Sequence, residues 1–332
     1  MDEDKPLLSV QNLHTHFFTK KGVIKAVDGI DFDVHPGETL GIVGESGSGK
    51  SITAMSILGL IPSPPGKIVD GSIYFKGENL LHKKEKQLRK IRGKEIGMVF
   101  QDPMTSLNPV FTIEKQLTET ILAHENYTKK EAQNRALELL DLVGIPDPKK
   151  RLTNYPHEFS GGMRQRIMIA IALSCNPSLL IADEPTTALD VTIQAQILEL
   201  FKKMQEELNM GVIMITHDLG VISEVSDRVM VMYAGKPAEF SETKHLFEKG
   251  KHPYTLGLMQ SIPKIRPEKQ KLEAIKGLPP DLNALPKGCS FAPRCKHVMD
   301  SCLTTDPELR EVMNDHYVRC LLYENAEKKV ST

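Results

Sequence analysis

The chain has 332 residues, enough for one large domain with an appendage, and its 42 basic side chains balance 43 acidic ones. That balance argues against a bulk nucleic-acid binder, and the acidic start Met1-Asp2-Glu3-Asp4-Lys5, followed by no long apolar run, argues against a secretory leader. The most apolar windows, 167–173 and 212–215, are far too short to cross a bilayer, so a cytosolic chain is expected that meets a membrane only through partners.

Residues 30–34 alternate apolar and acidic side chains, which predicts a strand with one wet face. His35-Pro36-Gly37 turns it into a buried strand over Thr39–Val43. Gly44-Glu45-Ser46-Gly47-Ser48-Gly49-Lys50-Ser51 follows at once, and 52–60 reads as an apolar helix beginning at Ile52. Two glycines with four residues between them, Gly44 and Gly49, then Lys and Ser, make a phosphate-binding loop. The glycines let successive N–H groups face a polyphosphate, and a helix starting near Ser51 adds the positive end of its dipole. Lys50 supplies a point charge to the β/γ oxygens, and the Ser51 hydroxyl is placed to hold Mg²⁺.

Pro62, Pro64 and Pro65 stop that helix, and 72–75 reads as another strand with a turn at Lys76-Gly77. The basic run 83–94 reads as a solvated helix face, and 96–100 as a buried strand ending at Gln101. After Pro109 the pattern turns helical. Thr128-x-x-Glu131 is a capping box, and Ala132, Ala136, Leu139, Leu140 and Val143 follow at helical spacing until Gly144. The region of about 105–165 is therefore expected to be a helical insertion between strands. Strands resume at 179–182 and 212–215, each preceded by a helix, and 228–232 with a turn at Gly235-Lys236 closes the core. This alternation predicts an α/β fold, a mostly parallel sheet with helices on both faces. Beyond about residue 245 prolines crowd and periodicity fades, which reads as a loop-rich appendage in need of a covalent or metal staple.

Two further motifs carry chemistry. The apolar strand at 179–182 ends in Asp183 and Glu184. In a phosphate-loop enzyme the first carboxylate completes the Mg²⁺ shell with Ser51, and the second can polarise the attacking water. Phe159-Ser160-Gly161-Gly162-Met163-Arg164-Gln165-Arg166 sets a Ser and two glycines at the start of an apolar helix, a second anion-binding terminus. One nucleotide has no use for two cradles. Two subunits placed head to tail do, each lending its second cradle to the other's nucleotide.

The phosphate loop, Gln101, Ser160-Gly161-Gly162, Asp183-Glu184, Ala188-Leu189-Asp190 and His217 stand in the order seen in ATP-binding cassette (ABC) ATPases, which the chain resembles over about residues 6–250. The resemblance implies a P-loop NTPase fold with a helical subdomain at about 105–165, and ATP and Mg²⁺ as its ligands. It makes Glu184 the catalytic base, Gln101 a γ-phosphate sensor and Mg²⁺ ligand, and His217 a γ-phosphate contact; Asp190 would lie in the loop at the dimer seam. Phe159 and Met163 replace the Leu and Gln of many cassettes and leave the Ser160-Gly161-Gly162 cradle intact. Phe17 and Phe18 are the nearest aromatics to stack on adenine, and core packing accounts equally well for either.

His252-Pro253-Tyr254-Thr255, Gly277-Leu278-Pro279-Pro280, Leu285-Pro286-Lys287-Gly288-Cys289 and Phe291-Ala292-Pro293-Arg294-Cys295 are similar to the C-terminal extension of oligopeptide/dipeptide importer ATPases, here about 251–325. The signature resembles that of the group's D-type subunit. The resemblance implies an energy-coupling ATPase that forms a heterodimer with a second ABC ATPase subunit beneath two permease subunits, fed by an extracytoplasmic solute-binding protein. Such a chain is peripheral on the cytoplasmic face of the membrane and binds no nucleic acid. Nickel or other small-solute importers share much of this pattern. A soluble ABC ATPase would instead carry two cassettes or a coiled-coil or zinc insertion, and a redox regulator would gate hydrolysis through a cluster.

Cys175 stands alone, whereas Cys289, Cys295, Cys302 and Cys320 are separated by five, six and seventeen residues. Zinc sites favour tight C-x₂₋₄-C pairs, so these wider gaps favour a [4Fe–4S] cluster over Zn²⁺. Two disulfides and unligated thiols are the remaining readings.

Overall fold

The computed structural model describes residues 5–102, 106–186, 190–261 and 275–324. Its strands are β1 (Leu8–Thr19), β2 (Gly22–Val34), β3 (Thr39–Val43), β4 (Gly66–Phe75), β5 (Glu78–Asn79), β6 (Ile96–Val99), β7 (Leu179–Asp183), β8 (Gly211–Thr216), β9 (Arg228–Tyr233), β10 (Lys236–Glu242), β11 (Arg310–Met313) and β12 (His316–Val318). The chain divides into two compact units. The first comprises the residues through Leu8, Val34–Glu38 and Phe75–Ile215; the second comprises Ser9–Asp33, Thr39–Tyr74 and the chain from Thr216 on.

In the first unit β6, β7 and β8 run parallel, with Ile96 opposite Leu179 and Leu179 opposite Gly211. Every residue of β7 and β8 is buried, as a strand covered on both faces requires, and this explains their unbroken apolar runs. The helical insertion packs Ile113, Leu117 and Ile121 of helix Ile113–His124 beside Ala132, Ala136, Leu139 and Leu140 of helix Lys129–Leu142. These positions recur at three- and four-residue spacing, so each helix buries one stripe. Each large apolar side chain so buried contributes about 1.5–3 kcal/mol. The Thr128–Glu131 capping box is present in both directions: the Glu131 N–H donates to Thr128 Oγ1 at 3.3 Å, and the Thr128 N–H donates to Glu131 Oε2 at 2.7 Å. The basic run forms helix Glu85–Ile91 with no buried residue, a solvated face as expected.

In the second unit β3 runs parallel to β9, and β9 turns back into antiparallel β10. The extension then adds strands of its own: β12 pairs antiparallel with β10, Glu239 opposite Val318, and β11 pairs with β12. These strands have three and four residues, too few for an alternating pattern to register in sequence, so the tail reads as loop. Strands β2, β1 and β4 form a second sheet in that order. β1 escapes sequence reading because its alternation breaks at Asn12, where φ is 46° and the buried positions shift register. β2 starts at Gly22, well before the segment predicted at 30–34. The helix after the phosphate loop is Lys50–Ile57 rather than 52–60, because Gly49 forms its N-cap.

Candidate functional site

The phosphate loop leaves the buried end of β3 and runs into helix Lys50–Ile57. Gly49 has φ 106°, a conformation that only glycine adopts cheaply. A Cβ on Gly44 would sit 2.3 Å from the Met232 carbonyl oxygen, so the backbone there passes where no side chain fits. The Lys50 ammonium is buried and donates to the carbonyls of Gly44 at 2.8 Å and Glu45 at 3.0 Å, folded back on its own loop. The Ser48 hydroxyl is buried with no hydrogen-bond partner. Ser46 and Gly47 are exposed, and Ser51 and Ile52 are half-buried at the helix start. An enclosed cation, an unsatisfied hydroxyl and a helix N-terminus suit a bound polyphosphate.

His217 follows the end of β8 and is exposed, so it is not a core histidine. Phe17 packs against Gly66 at the start of β4, where an added Cβ would meet its ring at 2.9 Å, whereas Phe18 is 52 % exposed. Of the two, Phe18 is the ring left open to a ligand.

In the other unit Asp183 is the buried last residue of β7, and Glu184 follows at φ 49°. A left-handed glutamate is a strained position of the kind that functional sites retain. The Glu184 N–H donates to the Ile215 carbonyl at 2.8 Å, which fixes the turn. The Gln101 Nε2 donates to Glu184 Oε2 at 2.9 Å, joining two predicted site residues 83 positions apart. In the same unit Ser160 caps helix Gly161–Ala172, its hydroxyl accepting from the Met163 N–H at 3.3 Å, while Ser160 and Gly161 are exposed and Gly162 is half-buried. Phe159, the departure from the common signature, is buried under the Arg151 guanidinium. Asp190 caps helix Val191–Leu208, accepting from the Ile193 N–H at 2.9 Å. Ala188 and Leu189, which precede it in the motif, lie outside the described residues.

In the extension all six pairs among the Cys289, Cys295, Cys302 and Cys320 thiols interact electrostatically, so the four converge on one place. Backbone N–H groups aim at three of the sulphurs. Phe291 and Ala292 donate to Cys289, Leu322 donates to Cys320, and His297 donates to Cys295 at 3.3 Å. Burial raises the thiol pKa of Cys289 and Cys295 and pushes that of Cys320 up to about 11. Cys302 and the partly buried Cys289 pack with Ala292 and Leu321 into a small core that the proline-rich sequence does not suggest. Cys175 is remote in sequence and buried.

His14, His16 and Asp28 also bring ligand atoms within 4.8 Å of one another. Two ammonium groups already serve that carboxylate, Lys236 at 3.3 Å and Lys25 at 3.5 Å. Burial opposes the Asp28 charge, but the two lysines together with the His14 hydrogen bond outweigh it and hold the carboxyl below its ordinary range. The cluster is a compensated ionic knot. Sequence reading missed it, and it also missed the contact of the tail with the phosphate loop: Tyr254 and Arg294 both bond to Glu45. No local pattern announces either arrangement.

Residues 27–187 match the family described as ABC transporter, and residues 238–302 match the C-terminal region of the oligopeptide/dipeptide transporters. The chain is 57 % identical over 318 residues to the oligopeptide transport ATP-binding protein AppD of Bacillus subtilis (strain 168), covering 96 % of this chain and 97 % of that one. It is 54 % identical to the dipeptide transport ATP-binding protein DppD of the same organism, covering 95 % and 94 %. Among solved structures, the dimeric post-hydrolysis state of the ATP-binding cassette MJ0796 bound to ADP and Pi superposes with a TM-score of 0.65 at 28 % identity, covering 71 % of this chain and 98 % of the other. The order of motifs, the fold and these likenesses agree: the chain belongs to the ATP-binding cassette ATPases, and within them to the ATP-binding subunits of the oligopeptide/dipeptide transporter family.

Proposed function

We propose that the chain hydrolyses ATP to drive the import of dipeptides or oligopeptides, as one of two ATPase subunits beneath a pair of permeases. The observation that carries the catalytic half is the Gln101–Glu184 hydrogen bond at a left-handed glutamate. Glu184 accepts a proton from water as the water oxygen attacks the γ-phosphorus and the bond to the bridging oxygen breaks. Gln101 orients the carboxylate and reports on the γ-phosphate. Ser51, Asp183 and Gln101 would hold Mg²⁺, which neutralises charge on the phosphates. Lys50 leaves the Gly44 and Glu45 carbonyls to bind the β- and γ-oxygens, and His217 contacts the γ-phosphate. Two names support the transported class, an oligopeptide and a dipeptide transport protein, both more than half identical to this chain. Among the described residues no helix is long and apolar enough to cross a membrane, so attachment to its cytoplasmic face would run through the permeases.

Ser160 and the helix it caps serve the nucleotide of the opposite subunit. The isolated chain is therefore expected to hydrolyse ATP slowly. Turnover per molecule should rise with protein concentration or on adding the second ATPase subunit, measured as phosphate release across a dilution series. Full activity per molecule in a dilute monomer would contradict this reading.

The four converging cysteines bind a metal centre that staples the extension, and a [4Fe–4S] cluster fits them better than zinc. Backbone N–H groups directed at cysteine sulphur stabilise ligated thiolates. The four cysteines are separated along the chain by five, six and seventeen residues, whereas zinc sites favour tight C-x₂₋₄-C pairs. The centre supplies a cross-link; ATP hydrolysis requires no electron from it.

A further inference from the structure

Glu45 is the second residue of the phosphate loop, and the extension grips it by backbone and side chain alike. The Glu45 N–H donates to the Tyr254 hydroxyl at 2.9 Å. Its carboxylate receives both arms of the Arg294 guanidinium, Nη1 to Oε2 at 2.5 Å and Nη2 to Oε1 at 2.9 Å. A two-pronged pair of this kind is the strong, directional form of an ion pair, and here the Arg294 side chain is only 5 % exposed. The guanidinium is held in turn: its Nε donates to the Lys276 carbonyl at 3.2 Å, and it lies 5.8 Å from the centre of the Tyr233 ring. Tyr254 is fully buried between the rings of Tyr233 and Phe291, at 4.7 and 5.5 Å. The Glu45 carbonyl accepts from Lys50, so all three polar groups of this residue are fixed.

A carboxylate at this place is otherwise a liability. It sets a negative charge on a loop whose task is to receive a polyphosphate, next to the lysine that must bind it. We propose that Arg294 and Tyr254 of the extension are positioning residues of the ATP site: Arg294 neutralises and orients Glu45, and Tyr254 fixes its N–H, so the loop meets the nucleotide preformed and without net repulsion. Neither touches the reacting atoms, so both act on nucleotide affinity rather than on the chemical step.

The test is a double-mutant cycle on ATP hydrolysis by the full chain assembled with its partner subunits. Arg294→Gln should raise KM for ATP about tenfold, the scale of one partly screened unit charge near the phosphates, with kcat within about twofold. Adding Glu45→Gln should return KM to within about threefold of that of Glu45→Gln alone, because the charge that Arg294 compensates is gone. A merely architectural arginine would raise KM by the same factor whatever stands at position 45. Tyr254→Phe, which removes only the acceptor for the Glu45 N–H, should raise KM about threefold. Should Arg294→Gln fail to fold, Arg294→Lys carries the test: it keeps the charge but loses the fork, and KM should rise about threefold. An unchanged KM in Arg294→Gln, or in Arg294→Lys where that variant stands in, would overturn the proposal. A double variant impaired by the full product of the two single effects would also overturn it.

Discussion

Glu184→Gln is expected to bind ATP as the natural chain does and to lose turnover by roughly 10²- to 10⁴-fold, about 3–5 kcal/mol of transition-state stabilisation. The amide keeps the size of the carboxylate and can still accept from Gln101 Nε2, so the left-handed turn held by Ile215 should survive. What disappears is the basic oxygen that takes the water's proton. Nucleotide titration together with phosphate release at saturating ATP separates the two effects. Near-normal hydrolysis in Glu184→Gln would remove this residue from the chemistry and leave the Gln101 contact a structural one.

The second large effect is expected in the extension. Cys302→Ser should abolish metal loading, because a four-thiolate site loses a quarter of its ligands and the burial that raises the thiol pKa of Cys320 to about 11 disfavours free thiolates. The cross-link spans a loop of roughly thirty residues, so its loss should cost the fold on the order of 3–4 kcal/mol in the chain-entropy view. Protein purified without oxygen should contain iron and sulphide and absorb near 400 nm, and the variant should lack all three and unfold at lower temperature. One zinc per chain with no iron or sulphide would refute the cluster. Unchanged metal content in Cys302→Ser would refute the ligand set.

Local chemistry was legible in the sequence, and tertiary partnership was not. The phosphate loop, the Ser160 cap and the Thr128–Glu131 box declare themselves because each is complete within a few residues of chain. Gln101 and Glu184 could each be named from motif order, yet their hydrogen bond depends on how β6 and β7 pair in register, which no local pattern states. Arg294 and Glu45 lie 249 positions apart, so the tail read as an appendage although it bonds to the loop that opens the cassette. The left-handed Asn12 hid a twelve-residue strand by shifting its alternation, and β11 and β12 were too short to show any. The tail's aromatic core of Tyr233, Tyr254 and Phe291 likewise forms only once β9 stands beside the extension.

The most direct test of the central claim is transport by the complete assembly, with permeases, both ATPase subunits and solute-binding protein reconstituted in sealed vesicles and ATP supplied on the side of the ATPases. A labelled di- or oligopeptide should accumulate with ATP consumption, and both should stop when Glu184→Gln replaces this chain. Hydrolysis coupled to uptake of nickel ion but of no peptide would contradict that claim, as would peptide uptake that continued at full rate with the Glu184→Gln subunit in place.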